Sequence, residues 1–323
     1  MRRMIQGAVL ATLIAGPAAA FEPGSTECIA PANPGGGWDF TCRQVGRLLS
    51  DLSLVPSPMQ IVNMPGGQGA VAYANVASKR SDDANLVVAT SIVGVTGVAQ
   101  GRFPGDVDTM RWLATLGSDV AVVMVAKDSP YNSLTDLLNA FKDDPKVVAT
   151  AGSSYIGGWD HLRLLMLAQE SGVTAEQLRE MTWVEFDGGS DAVTQLMGGH
   201  VGAVVTDLGE IGGFIKSGDV KALAVMSEER VPAFPELATA REQGIDVVGY
   251  NWRGFYMGGD VDDEAYDAWV DIMHKLYDSP EWKQVAEQSG LIPLWKGGDE
   301  FETFVRSESD RIYELSKAIG VVQ

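Results

Sequence analysis

The chain has 323 residues, and 43 acidic residues against 24 lysines and arginines give it a formal net charge of −19. This charge excludes a nucleic-acid or anionic-membrane binder as a first interpretation, because both partners are themselves polyanionic. The length exceeds what one small hydrophobic core accommodates, so we expect two domains.

The N-terminus has the three parts of an export signal. Arg2 and Arg3 are positive, residues 5–14 are almost entirely apolar, and the run ending at Ala20 offers small residues for cleavage. The apolar run is shorter than the ~20 residues that a spanning helix needs. We therefore predict a signal peptide over residues 1–20, cleaved after Ala20. An uncleaved anchor is the alternative.

Short β-branched runs alternate with amphipathic segments along the rest of the chain, which is typical of an α/β fold with helices on both faces of a sheet. The strand candidates, in order, are Glu27–Ala30, Gln60–Asn63, Leu86–Thr90, Val120–Val125, Val147–Ala151, Met181–Glu185, Val201–Thr206, Lys221–Met226 and Gly254–Met257. The helix candidates are Phe40–Ser50, Gln68–Ala77, Leu134–Lys142, Trp159–Glu170, Ser190–Gly198, Asp263–Tyr277, Glu281–Gln288 and Glu300–Ala318.

The first strand is followed by a turn of three consecutive glycines, Pro34–Asp39, that leads into a helix. Asp39 is a good N-cap for that helix. Unpaired N–H groups gather where a Gly-rich turn meets a helix N-terminus, and such a point attracts anions. The turn therefore indicates an anion site. A plain strand-to-helix connection is the alternative, since the dinucleotide pattern G-x-G-x-x-G is not met.

Only two cysteines occur, Cys28 in the first strand and Cys42 in the first turn of the following helix. In an exported protein they meet an oxidising compartment, where a bridge would fix both ends of the Gly-rich turn. A loop of this length is worth ~3 kcal/mol in the entropy model. Two buried free thiols are the alternative.

Three further Gly-rich turns precede helices: Met64–Gly69, Ala151–Asp160 and Asp187–Asp191, where Ser190 or Asp191 is placed to cap the next helix. Ligands of open α/β sheets bind outside the carboxyl ends of the strands, where such loops gather. The four turns predict a cleft lined by backbone N–H groups and helix starts, although each alone is also compatible with an ordinary turn.

Motifs of catalysis are missing from the sequence. It contains no G-x-S-x-G, Walker loop, H-E-x-x-H or C-x-x-C pattern. Three histidines and two cysteines argue against a zinc site. His161, at a helix start, is better interpreted as a structural hydrogen-bonding group than as a ligand-binding one. We expect no cofactor and no bound metal.

Taken in order, these motifs resemble a known family. They are Pro34–Asp39, Asn63–Gly69, Gly152–Leu162, Phe186–Ser190, Leu223–Arg230 and Pro235–Gly244. The chain resembles the periplasmic substrate-binding receptors of tripartite tricarboxylate transporters, the TctC-like or Bug family, over essentially its whole mature length. It is most similar to the tricarboxylate receptors, which share the cysteine pair, the Met-Pro-Gly-Gly loop and the segment Arg253–Tyr256.

The resemblance implies a two-lobed periplasmic-binding-protein fold of the Venus-flytrap type (type II), with the ligand in a cleft between the lobes. Lobe 1 would comprise residues 21–124 and 248–323, and lobe 2 residues 125–247. It also implies a monomeric periplasmic protein without nucleic-acid partners, which passes a small organic acid to membrane permease subunits.

The resemblance further implies that loop N–H groups and hydroxyls hold a ligand carboxylate. The residues carried over are Gly36, Gly37, Trp38, Asp39, Ser91, Ser153, Ser154, Gly157, Gly158, Trp159, Asp187, Gly189 and Asp207, with Arg253 available for an extra carboxylate. Many relatives have serine where this chain has Gly158, and smaller residues at Trp159 and Asp160. Because acids repel an anion, we expect Asp39 and Asp187 to orient loop N–H groups, cap helices or accept from a ligand hydroxyl.

The leading hypothesis is a non-catalytic receptor for a citrate-like tricarboxylate. The second is the same receptor for a dicarboxylate or an aromatic carboxylate. The third, an exported enzyme that acts on organic acids, is weakened by the missing nucleophile–base and metal motifs.

Overall fold

The computed structural model describes residues 21–186 and 188–322, and the predicted signal peptide and Asp187 lie outside them. Its strands are β1 Glu27–Ala30, β2 Gln60–Asn63, β3 Leu86–Ser91, β4 Met110–Ala126, β5 Thr150–Gly152, β6 Trp183–Glu185, β7 Ala203–Asp207, β8 Val220–Val225, β9 Tyr250–Gly258 and β10 Lys296–Gly297. Its α-helices are α1 Gly37–Asp51, α2 Ala70–Lys79, α3 Ile92–Ala99, α4 Leu134–Asp143, α5 Trp159–Glu170, α6 Ala175–Glu180, α7 Gly189–Met197, α8 Leu208–Ser217, α9 Asp263–Asp278, α10 Pro280–Gln288 and α11 Asp299–Ala318.

The strands form two sheet halves that share β4. The order is β2-β1-β3-β9-β4-β7-β5-β6, with β8 and β10 also paired to β4. Residues Met110–Val120 of β4 pair with β9, and Ala121–Ala126 pair with β7 and β8. The strand therefore passes from one half to the other near Val120. The lobe boundaries predicted around this crossing stay a prediction.

Helices cover both faces of the first half, as an α/β fold requires. Alternate residues of β3 separate the faces: Val87 and Ala89 pack with α1, α9 and α10, whereas Leu86 and Val88 pack with α2 and α3. In the second half, α7 and α8 lie against one face, and α4 and α5 contribute to the core on the other. The predicted α/β class is confirmed.

The structure contains elements that the sequence patterns did not predict. The sequence analysis missed α3 because nearly every side chain in Ile92–Ala99 is apolar and buried, so no polar face marks a helix. It missed α8 because Asp207 is both the last residue of β7 and the N-cap of that helix, with no turn between them. It also missed the first half of β4, where register shifts interrupt the pairing with β9.

Two predicted caps are wrong. Helix α1 begins before Asp39, at Gly37, and its N-cap is Gly36. Gly36 has extended backbone angles and no side chain that could cap the helix. Helix α7 likewise begins at Gly189 with Gly188 as N-cap, not Ser190 or Asp191. Both helix starts therefore lack a side-chain cap from the N-cap residue.

Candidate ligand-binding site

A cavity of about 840 Å³ lies at the carboxyl ends of the parallel strands. Its lining includes Pro31 after β1, Ser91 at the end of β3, Ser153 after β5, Glu185 at the end of β6 and Asp207 at the end of β7. This position confirms that the strand ends and their loops meet at one place, as open α/β sheets arrange them.

Five helices begin at this cavity: α1, α3, α5, α7 and α8. The N-cap residues of α1, α5, α7 and α8 make no side-chain cap, and only Ser91 of α3 accepts a hydrogen bond, from the Val93 N–H at 3.3 Å. Each helix N-terminus carries roughly half a positive charge, so the field close to each helix start is locally positive. Such a field favours an anionic ligand.

Asp39 lies beneath the first loop and holds it in place. Its carboxylate accepts from the Gly35 N–H at 2.9 Å, from Asn63 Nδ2 at 2.8 Å and from Arg43 Nε at 2.9 Å. The hydrogen bond from Arg43 is the main reason that the pKa of Asp39 falls to about 2, although burial opposes it. Asp39 does not line the cavity, so its role here is to orient the loop.

The predicted disulfide is confirmed. Cys28 and Cys42 are bonded, with their Cα atoms 5.9 Å apart, and both residues are fully buried. The bridge joins β1 to α1 on either side of the Gly-rich turn. The loop that presents Gly36 and Gly37 to the cavity is thus fixed at both ends.

Arg253 of β9 brings a positive side chain to the start of α1. Its Nη2 lies 3.5 Å from Asp119 Oδ2 and 3.5 Å from Asp207 Oδ2, and the side chain is 11% exposed. The guanidinium also packs on Gly37: a Cβ there would lie 2.9 Å from Nη1. A cation placed against the positive end of a helix is unfavourable alone, and here the carboxylates of Asp119 and Asp207 offset it.

A buried charge network at the wall of the cavity connects the two sheet halves. Arg163 of α5 contacts Asp160 and donates to Asp207 at 2.7 Å, while Asn251 of β9 also donates to Asp207. Burial acts to raise the pKa of Asp207, but the Arg163 and Arg253 guanidinium groups outweigh it and lower that pKa.

Asp119, at the crossing point of β4, completes this network. It accepts from the N–H groups of Val120 at 2.9 Å and of Gly209 at 3.1 Å. Burial, reinforced by the charge of Asp207, raises the pKa of Asp119 to about 6. Sequence reasoning missed Asp119, Arg163 and Asn251; a lone acid inside the apolar β4 run was the signal that could have marked the first.

The loop between β5 and α5 is held by its own helix. Ser153 donates to Asp160 through its N–H at 2.8 Å and its hydroxyl at 2.6 Å, and Ser154 Oγ accepts from the Asp160 N–H at 3.0 Å. The Gly157 N–H donates to His161 Nδ1 at 2.9 Å. His161 is therefore structural, as predicted, and burial lowers its pKa to about 4.

Gly158 has a steric reason to be glycine. A Cβ at this position would lie 2.7 Å from Ser154 Cβ and 2.9 Å from the Tyr155 carbonyl oxygen. The serine expected from the resemblance would therefore displace this loop. Trp159 next to it borders the cavity at the start of α5, but its side chain is 1% exposed and packs in the core.

The second sheet half adds an acidic side to the cavity that the sequence analysis did not single out. Glu185, Asp191 and Glu210 line it together with the amide side chain of Gln195. Glu210 Oε2 accepts from the Gly189 N–H at 3.0 Å. Desolvation in the cleft, followed by the charge of Asp207, raises the pKa of Glu210 to about 7, although its side chain is open to the cavity.

The predicted ligand-binding residues divide into two groups. Those that line the cavity are Gly36, Gly37, Trp38, Ser91, Ser153, Ser154, Trp159, Asp207 and Arg253. Those that support it from behind or lie beside it are Asp39, Gly157, Gly158 and Gly189. Asp187 lies outside the described residues. The structure thus brings the first group together, and their contact with a ligand stays a prediction.

Within the described residues, no group of three or more His, Cys, Asp or Glu side chains is arranged to hold a metal ion. None of the helices in residues 21–186 and 188–322 combines the length and apolarity that crossing a bilayer requires.

Two sheet halves on a shared strand, with a cleft of helix N-termini at the strand ends, define a protein of the periplasmic-binding-protein class. A TctC solute-binding protein from Polaromonas superimposes with a TM-score of 0.72 at 24% identity, covering 91% of this chain and 98% of the other. MatC from Rhodopseudomonas palustris, solved with bound malate, gives a TM-score of 0.73 at 19% identity, covering 90% and 98%. These likenesses confirm the predicted fold class.

The family itself follows from the sequence. The model of the tripartite tricarboxylate transporter family receptor, TctC, matches residues 43–321. A UPF0065 protein of Bordetella pertussis is 24% identical over 325 residues, which cover 99% of this chain and 97% of that protein. The chain belongs to the TctC receptor family, and the predicted family is confirmed.

Proposed function

We propose that the protein is a periplasmic receptor that binds a citrate-like tricarboxylate and delivers it to the permease of a tripartite tricarboxylate transporter. The observation that carries this proposal is the convergence of five helix N-termini and Arg253 on one cavity. Fixed backbone dipoles attract carboxylates without side-chain rearrangement. Export through the N-terminal signal would place the receptor where the permease can reach it.

The number of donors is compatible with useful affinity. A hydrogen bond to a charged group contributes ~1.5–3 kcal/mol net. Micromolar binding requires about 8 kcal/mol. Two ligand carboxylates, one near Gly37 and Arg253 and one at the start of α5, would reach that value after the ordering costs of binding.

A dicarboxylate is the second candidate, and the acidic side of the cavity favours it. Glu185, Asp191 and Glu210 would repel a third carboxylate, and Arg253 is already shared with Asp119 and Asp207. The structural relative MatC holds malate, which has two carboxylates. An aromatic carboxylate stays a further alternative, and the half-buried Trp38 at the cavity offers a packing surface for its ring.

Calorimetry on the mature chain tests the proposal. The titrants are citrate, isocitrate, tricarballylate, malate, succinate and benzoate. We expect citrate to bind with micromolar or better affinity, and tighter binding of malate would favour the dicarboxylate alternative. No heat with any carboxylate would refute a carboxylate receptor. Turnover of a bound acid during prolonged incubation would favour an enzyme instead.

A further inference from the structure

The polar groups of the cavity are divided by chemistry. The donor side consists of the α1 N-terminus at Gly37, Ser91 and Arg253. The acceptor side consists of Glu185, Asp191, Glu210 and Asn251. Ligand carboxylates offer only acceptors at neutral pH. They satisfy the donor side and leave the acceptor side without a partner.

Glu210 is held in a defined orientation on the acceptor side. Its Oε2 accepts from the Gly189 N–H at 3.0 Å, and its backbone carbonyl accepts from Ser190 Oγ at 3.4 Å. Among the described residues, Oε1 has no such hydrogen bond. Because Oε2 is engaged, Oε1 is the oxygen of this cavity-lining side chain that remains for a ligand.

Asn251 provides a second, independent indication of a ligand donor. It is 5% exposed and lines the cavity, and its Nδ2 donates to Asp207 Oδ2. Its Oδ1 is buried and lacks a hydrogen-bond partner within residues 21–186 and 188–322. A carboxylate neighbour requires the amide nitrogen, so the assignment of the two amide atoms is fixed. Buried acceptors are normally satisfied, and this one lacks a donor.

We propose that the receptor selects hydroxylated carboxylates, whose hydroxyl group donates to Glu210 Oε1 on the acceptor side while the carboxylates bind the donor side. This inference rests on the proposed carboxylate function and names its substrate class more narrowly. An acid that lacks the hydroxyl would place a methylene group against the acceptor side. The oxygen atoms of the acceptor side would then remain without a hydrogen-bond donor. Sites built to bond a hydroxyl discriminate strongly against analogues that lack it.

A hydroxyl fits this position better than an ammonium group. Desolvation in the cleft and the charge of Asp207 raise the pKa of Glu210 to about 7, so the protonated form is accessible near neutral pH although the residue is exposed. A hydroxyl can donate to the ionised carboxylate and accept from the protonated one, whereas an ammonium only donates. A hydroxyl ligand is therefore retained in either state.

Matched ligand pairs test the inference by calorimetry on the mature chain at pH 7. Citrate differs from tricarballylate, and malate from succinate, by one hydroxyl. We expect the hydroxylated member of whichever pair binds to be about tenfold or more tighter, because a hydrogen bond to a charged group has that weight. Equal affinities within a binding pair would overturn the inference and leave the carboxylate receptor intact. Binding of neither pair would overturn the inference together with the proposed tricarboxylate function and its dicarboxylate alternative.

Two variants locate the acceptor. In Glu210→Gln the amide oxygen remains with the Gly189 N–H, so the NH₂ group replaces the acceptor that faces the ligand. We expect the preference for the hydroxylated acid to fall to less than about threefold, from the tenfold expected of the wild type. Glu236→Gln removes an equal charge at an exposed position that does not line the cavity, and it should keep the preference. An equal change in both variants would overturn the role of Glu210, and tighter binding of aspartate than of malate would overturn the choice of hydroxyl.

Discussion

A single added methyl group at Gly37 should weaken ligand binding without weakening the fold. Gly37 is the first residue of α1, and its backbone does not require the left-handed conformation. Alanine is therefore tolerated, and its higher helix propensity compensates for small packing costs. The new Cβ would lie 2.9 Å from Arg253 Nη1, 3.3 Å from Cζ and 3.4 Å from Nη2.

The size of the effect follows from where the guanidinium can go. The methyl pushes it away from the α1 N-terminus and toward Asp119 and Asp207, which now lie 3.5 Å from Nη2. Shorter contacts with these carboxylates compete with the ligand for the same N–H groups. Complete loss of a charged hydrogen bond costs ~1.5–3 kcal/mol. For a partial displacement we expect about 1 kcal/mol, or roughly a fivefold weaker Kd.

The assay is calorimetry with the best-binding carboxylate, combined with urea unfolding. Gly37→Ala should leave the unfolding midpoint close to that of the wild type. Gly213→Ala is the matched control, because Gly213 lies in α8 and a Cβ there meets nothing within 4 Å. We expect that control to leave the affinity unchanged and to raise the free energy of unfolding by up to ~1 kcal/mol, because alanine replaces glycine in a helix interior.

A double-mutant cycle with Arg253→Met decides whether the methyl acts through Arg253. In the Arg253→Met background, Gly37→Ala should have no further effect on affinity, since the displaced group is absent. Equal weakening in both backgrounds would refute the reasoning, and the methyl would then act directly on the ligand or on the loop.

Two predictions concern stability. Replacing Cys28 and Cys42 by serine should lower the free energy of unfolding by ~3 kcal/mol, as expected for a bridge with a sequence separation of 14. Urea unfolding of this variant, and of the wild type with and without reductant, measures the difference. No difference would contradict a stabilising bridge. Burial lowers the pKa of His161 to about 4, so the unfolded chain binds a proton below pH 6.5 that the folded chain does not. This contribution is fully present above pH 6.5 and is lost as the pH falls toward 4, by up to ~1.4 kcal/mol per pH unit. His161→Gln keeps an acceptor for the Gly157 N–H and should show a shallower loss of stability between pH 7 and 5, whereas an unchanged slope would contradict the assignment.

Local sequence signals predicted the elements whose ends are marked by turn residues. β1, β2 and α5 have the predicted bounds because glycines, prolines or charged residues flank them. The Gly-rich turns also predicted the cavity, since each turn follows a strand that ends at the same edge of the sheet.

Long-range features of the site could not be predicted from the sequence. Asp119 and Asp207 are 88 positions apart in the numbering, and nothing local indicates that both approach Arg253. Asp39 is a residue type that favours the N-cap position. Its carboxylate instead accepts a hydrogen bond from Asn63, which lies in the next strand, β2. The sequence predicted Arg253 as a free partner for a carboxylate and did not predict that Asp119 and Asp207 lie beside it. The position of these acids depends on where β4 crosses between the sheet halves.

The insertion of β9 between β3 and β4 has a consequence for the order in which the protein is made. β9 pairs with β3 on one side and with β4 on the other, so the first sheet half stays incomplete until residues 250–258 have emerged. Such distant pairings form slowly, and until then β3 presents an open edge. The same strand carries Asn251 and Arg253 into the cavity. The pairing of β9 therefore completes the first sheet half and the cavity in the same folding event. A chain that ends before Tyr250 would lack both the complete sheet and the ability to bind a ligand.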